Sequence, residues 1–157
     1  MDFAIREMAV ACERGNEQRV RQLLAWGVDA DIEVGGHSLL TRAARFGQYM
    51  VVKRLLQAGA KPSMVALVAG VGSGSRHTVE QIADELVFRG EDPAAYPWNT
   101  VLGRRDFLEL LTADMATWLV DNEIDLTETD SFGRSIVDLA HTYAKRDVAE
   151  IFARATR

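Results

Sequence analysis

Few side chains in this sequence could carry chemistry by themselves. Three histidines, His37, His77 and His141, and one cysteine, Cys12, are the candidates for base, ligand or thiolate in 157 residues. Nucleophilic catalysis needs a Ser, Thr or Cys held beside a base, and no local spacing joins these groups. There is no His-Glu-x-x-His run and no paired-cysteine motif, so no metal site is expected. A lone Cys between small apolar residues, as in Ala9-Val-Ala-Cys12, reads as a buried hydrophobe in preference to a nucleophile. The run Gly70-Val-Gly-Ser-Gly-Ser75 invites comparison with a phosphate-binding loop. That chemistry requires Gly-x-x-x-x-Gly-Lys-Ser/Thr, or Gly-x-Gly-x-x-Gly between strand and helix. Neither spacing is met, no Lys follows, and a helical stretch (64–69) precedes it. The run is expected to be a flexible loop, with Thr78 capping the helix that begins at Val79. No catalytic residue, metal or cofactor is expected, and the chain reads as a non-enzyme.

Composition bounds what could hold such residues. The chain is 48% hydrophobic and 26% charged, too apolar for a disordered segment. Its length suggests one domain, burying about 70% of the surface of the extended chain. One cysteine rules out an intramolecular disulfide framework. No apolar run approaches the length of a membrane span, and no secretory leader is visible, so a soluble cytoplasmic protein is expected. Eighteen Lys and Arg against 23 Asp and Glu give a net charge of −5. The excess of acid lies in the second half, where Asp121, Glu123, Asp125, Glu128 and Asp130 follow one another without a base. Affinity for nucleic acid rests mostly on cations, so nucleic acid is not an expected partner, and neither is a membrane. Acidity suits a basic protein partner, or serves only to keep a solvated surface soluble.

Self-similarity organises the chain. Met8–Gly15 followed by Val20–Gly27 superposes on Leu40–Gly47 followed by Val52–Gly59 with a shift of 32 residues. The Leu-Leu-x-x-Gly ending returns at Leu86-Val-Phe-Arg-Gly90. It returns again at Leu119-Val-Asp-Asn-Glu123, with Glu in the glycine place. Gly133-Arg-Ser-Ile-Val-Asp-Leu-Ala140 matches Gly36-His-Ser-Leu-Leu-Thr-Arg-Ala43 about three periods on. Leu40, Ala43 and Ala44 share one face of a short helix, and Val51, Val52, Leu55 and Leu56 share a face of a second. Gly47 falls where a left-handed turn is needed and Gly59 where a helix ends. Helices this short must bury their stripes against neighbouring repeats.

The block Gly36-His-Ser-Leu-Leu-Thr-Arg-Ala-Ala-Arg-Phe-Gly47 with Val52-Lys-Arg-Leu-Leu-Gln-Ala-Gly-Ala60 resembles an ankyrin repeat. The resemblance implies an all-α solenoid of about five helix-turn-helix repeats in a single domain, 1–157. The repeats run approximately 2–31, 32–61, 62–92, 93–125 and 126–157. It is strong over 8–60, good over 130–154 and weak over 61–129. The third and fourth repeats are irregular: the third lacks the finger between repeats, and the fourth opens on Pro93-Ala-Ala-Tyr-Pro-Trp98. The family's Thr-Pro-Leu-His is replaced by Ser38-Leu-Leu-Thr41 and Ser135-Ile-Val-Asp138, which removes part of its turn-tightening hydrogen bonding. In this alignment Cys12 matches Ala44 on a packed face, and the three histidines fall at a finger, an inter-helix segment and a first helix.

The resemblance also implies a protein-binding role through first helices and fingers. The matching positions are Glu13 and Arg14; His37, Arg45 and Phe46; and Phe132, Arg134, Thr142 and Tyr143. Phe46 and Tyr143 occupy one repeat position, where an aromatic either anchors a partner or packs sideways on the next repeat. Tyr96 and Trp98 either fill core or contribute to recognition. Arg outnumbers Lys 15 to 3, which together with many Ala and Val points to a GC-rich, bacterial source. For a short acidic chain of this kind the resemblance implies an immunity protein that occludes a cognate secreted toxin, such as a type VI effector, as a monomer or a heterodimer with it. A generic cytosolic ankyrin adaptor or regulatory subunit is the alternative.

Overall fold

The computed structural model describes residues 2–157. Helix dominates: eleven α-helices and one two-stranded hairpin occur among the described residues. Their contacts group into two compact units, one ending at Glu91 and the other running from Asp92 to Arg157. No helix is long and apolar enough to cross a membrane.

The first unit contains α1 (Asp2–Arg14), α2 (Glu17–Ala25), α3 (Leu39–Arg45), α4 (Tyr49–Gln57), α5 (Met64–Ser73) and α6 (Arg76–Phe88). The helices pack as successive pairs, with α3 between α1 and α5 and with α4 touching both α2 and α6. A seven-residue helix such as α3 has no stability of its own in water. Here Leu39, Leu40, Ala43 and Ala44 are completely or almost completely buried, and the two alanines let α3 approach its neighbours. Met8, Cys12, Leu23, Leu55, Leu67, Ile82 and Leu86 complete this core. Gly47 has φ +67 in the turn between α3 and α4, where the steric freedom of glycine is required.

Serine starts several of these helices. Ser38, Ser63 and Ser75 each accept a hydrogen bond from the backbone N–H three residues on. Ser38 and Ser75 also donate to the hydroxyls of Thr41 and Thr78, at 2.8 and 2.9 Å. At Ser38 this Ser-x-x-Thr unit occupies one of the turns where the resemblance predicted missing hydrogen bonds.

The glycine run departs from expectation. Residues 70–73 are the last turn of α5, and only Gly74 and Ser75 separate it from α6. Ser75, not Thr78, is the cap, and the Thr78 side chain is buried. The physical reason is close packing. A Cβ on Gly70 would lie 3.3 Å from Val79 Cγ2 and 3.4 Å from Thr78 Cγ2, so the missing side chain lets α5 and α6 meet.

The connectors differ. Residues 26–38 hold the hairpin of β1 (Glu33–Val34) and β2 (His37–Ser38), paired Glu33 to Ser38 and Val34 to His37. Residues 58–63, one helix pair later, form no strand.

The second unit begins with a 3-10 turn at Pro93–Ala95. It continues through α7 (Trp98–Leu102), α8 (Arg105–Leu110), α9 (Ala113–Asp121), α10 (Ile136–Tyr143) and α11 (Arg146–Ala155). α8 packs on α10, and α11 packs on α9 and α10. Trp98 is 1% exposed, donates its indole N–H to the Pro93 carbonyl at 2.8 Å, and meets the Trp118 ring edge-on at 6.5 Å. The irregular stretch therefore delivers a ring to the core, the first of the two readings given for Trp98. Glu123 has φ +59, the left-handed conformation that Gly27, Gly59 and Gly90 take at the other Leu-Leu-x-x-Gly endings.

Candidate functional site

In the first unit, Glu13, His37, Arg45 and Phe46 line one cavity of about 130 Å³ together with Thr41, Arg42, Val65 and Ala69. They come from the end of α1, the hairpin, α3 with the residue that caps its C-terminus, and α5. Phe46 is 53% exposed and Val65 60%, apolar surface that stands in water in the free chain. The Arg45 guanidinium lies 5.9 Å from the Phe46 ring.

Arg42 holds this side of the molecule together, and sequence reasoning passed over it. Its Nη1 donates to Glu13 Oε1 at 2.6 Å, its Nη2 donates to the Val34 carbonyl, and its Nε is buried without a hydrogen-bond partner. One side chain thus ties α3 to α1 and to the hairpin. The Gln48 amide adds a bond to the Glu13 carbonyl at 2.9 Å. The available signal was a base on the first helix of one repeat and an acid on the first helix of the previous one. Arg14, by contrast, is exposed and stands outside the cavity.

A second, wider cavity of about 380 Å³ adjoins the first, sharing His37, Thr41 and Val65 with it. Its other walls are Asp31, Glu33, Gly36 and Ser38 on the hairpin side and Lys61, Pro62 and Ser63 on the 58–63 connector.

The candidates in the second unit form a different arrangement. Phe132 is 80% exposed at the tip of a turn closed by an isolated bridge between Thr129 and Ser135. Asp130 accepts the backbone N–H groups of Phe132 and Arg134 and the Arg134 Nε–H, each at 2.9 Å. These bonds, the Arg134 N–H foremost, hold its carboxyl below the usual range. The Arg134 guanidinium sits 5.2 Å from the Phe132 ring. Thr142 donates its hydroxyl to the Asp138 carbonyl at 3.2 Å, and half-buried Tyr143 lies under Arg105, 5.3 Å from its guanidinium carbon. Both rings thus have an arginine beside them, but Tyr143 is half-buried, whereas Phe46 at the matching position is more exposed and lines a cavity.

Nothing in either arrangement assembles a nucleophile with a base. Cys12 is buried on α1, and desolvation pushes its thiol up to about 12. His37 lines the cavity, His77 meets Tyr49 at a tilt with ring centroids 5.4 Å apart, and His141 is exposed on α10. No group of three or more His, Cys, Asp or Glu among the described residues is placed to hold a metal ion. What the first-unit face offers is an apolar floor, fixed charges around it and room for a side chain. No protein-family profile matches the chain, and comparison with curated proteins finds no match.

Proposed function

We propose that this chain is an ankyrin-type array of helix pairs that acts by binding a protein, with no catalytic role of its own. The observation that carries the reading is the gathering of Glu13, His37, Arg45 and Phe46 around a single cavity whose floor includes exposed Phe46 and Val65. A half-exposed aromatic beside an arginine, at the edge of a small apolar depression, has the composition of an interface anchor. The Arg42–Glu13 pair and the helix packing beneath it preorganise the face, so little order has to be created on binding.

The partner proposed is a secreted toxin whose active site the face covers, making the chain an immunity protein. The net charge of −5 favours encounter with a basic toxin. The test is co-purification of tagged protein from its native lysate. The expected result is one stoichiometric partner that kills cells when expressed alone and is neutralised when this chain is present. Phe46→Ala should weaken that complex by about 2–4 kcal/mol and leave the melting temperature unchanged. A stable, non-toxic partner would replace immunity by an adaptor role, and an unaffected complex would move the interface off this face.

A further inference from the structure

The two adjoining cavities of the first unit have a common origin. The connector before α3 carries a hairpin, and the connector before α5, residues 58–63, is too short to carry one. The hairpin therefore has no neighbour on that side. Among the described residues one hydrogen bond joins the two connectors, from the Lys61 N–H to Asp31 Oδ1 at 3.1 Å. Pro62 has no N–H to offer. The 380 Å³ cavity occupies this gap, with β2 on one wall and residues 61–63 on the other. An unpaired strand edge beside an open slot is the geometry that accepts an added strand.

The slot continues along α3 and α5 into the smaller cavity. Ser38 and Ser63 stand at the helix starts, Thr41 and Val65 in the first turns, and Arg45, Phe46 and Ala69 farther along. Charge changes sign along this path. The hairpin end carries Asp31 and Glu33 against Lys61. The far end carries Arg45, while Arg42 is neutralised by Glu13. Glu33, Lys61 and Arg45 make no ion pair among the described residues, so their charges are available to a partner.

We propose that this groove receives an extended segment of the partner protein, a reading that rests on the protein-binding function above. The segment pairs with the free edge of the hairpin at β2 and places one apolar side chain over Phe46, Val65 and Ala69. Charge complementarity specifies a basic residue at the Asp31–Glu33 end and an acidic one at the Arg45 end. The seven residues of α3 span about 10 Å, so about three residues of extended chain separate the two charges.

A random peptide library displayed on phage and panned on the full chain tests this, followed by affinity measurement with the enriched synthetic peptides. The expected motif has a basic and an acidic residue about three apart with an apolar residue between them. Val65→Glu should weaken those peptides at least tenfold. Glu33→Lys should select libraries in which the basic residue is lost or replaced by an acidic one. Both positions are exposed, and an unchanged circular dichroism melt will show that the variants fold. Enrichment of no peptide overturns the groove, as does a motif without the charge order or binding that Val65→Glu leaves intact. The lysate complex is scored separately, so a toxin that still binds Val65→Glu discards the groove and keeps the protein-binding function.

Discussion

Two ion pairs of the first unit reach from one helix pair to the next, beside local pairs such as Arg21–Glu17 and Arg89–Glu85. Arg42 binds Glu13 across α3 and α1, and Arg54 binds Glu17 at 2.8 Å across α4 and α2. In residues 92–157, Arg104–Asp106, Arg105–Glu109, Arg134–Asp130 and Arg146–Glu150 join positions at most four apart. Exposed local pairs of that kind contribute little to stability. Long-range order in the second unit comes from rings instead: Trp98 against Trp118, with Phe152 fully buried. The contrast shows where a recognition surface can be kept rigid. Pairs that cross between helix pairs hold surface side chains in register, and ring packing leaves the surface to local contacts.

Removing a ring should separate the units most. Trp98→Ala is expected to cost about 3–5 kcal/mol, the usual range for deleting a buried indole, and to lower the denaturant midpoint steeply. A loss below about 1 kcal/mol would mean that ring packing is not what holds residues 92–157. Gly47→Val attacks the first unit. At φ +67 a β-branched side chain is strained, and its Cβ would stand 3.1 Å from Ser75 Cβ, so a loss of about 2–3 kcal/mol is expected in chemical denaturation. Wild-type stability would contradict the left-handed turn.

Glu123→Gly runs the other way. A non-glycine residue in the left-handed region costs about 1–2 kcal/mol, and Glu123 bears that cost at φ +59. The variant should gain about 1 kcal/mol, offset in part by a freer unfolded chain, and an unchanged or lowered midpoint would refute this.

The smallest effect is acid sensitivity. Bonds from Ser135, chiefly its backbone N–H, hold the Asp138 carboxyl below the ordinary range. Asp106, Asp125 and Asp130 are also lowered, by Arg104, Thr127 and Arg134 respectively. A carboxylate lowered in the folded state stabilises it above the unfolded pKa, and that contribution is lost as pH falls through the folded pKa. In the first unit Glu7, beside Arg19, is the group lowered in the same way. Amide signals of 92–157 should therefore broaden at a higher pH than those of 2–91 as acid is added between about pH 5 and pH 2. The reverse order would remove this difference between the units.

Much of the helix pairing was legible in the residues. The glycines at 47 and 59, the Ala43-Ala44 pair and the leucine stripes depend on local geometry and burial, which repeat with the chain. The glycine run was misread because glycine favours loops and also permits close helix contact, and only the side chains of Thr78 and Val79 opposite Gly70 decide between them. Arg42 was passed over because its role depends on Glu13 and Val34, which no local pattern brings near. The Ser-x-x-Thr starts at Ser38 and Ser75 could have been found, since the spacing is local and its chemistry general.

The buried thiol of Cys12 and the distribution of tryptophans make the molecule its own double reporter. Cys12 lies in the core of the first unit and stays neutral far above physiological pH, so a thiol reagent can label it only in molecules where that core has opened. Two of the three tryptophans are buried in residues 92–157, while Trp26 in the first unit is already 67% exposed. Emission therefore follows the second core and labelling the first. A single unmutated chain then yields two unfolding curves, whose coincidence or separation measures how far the two units fold as one.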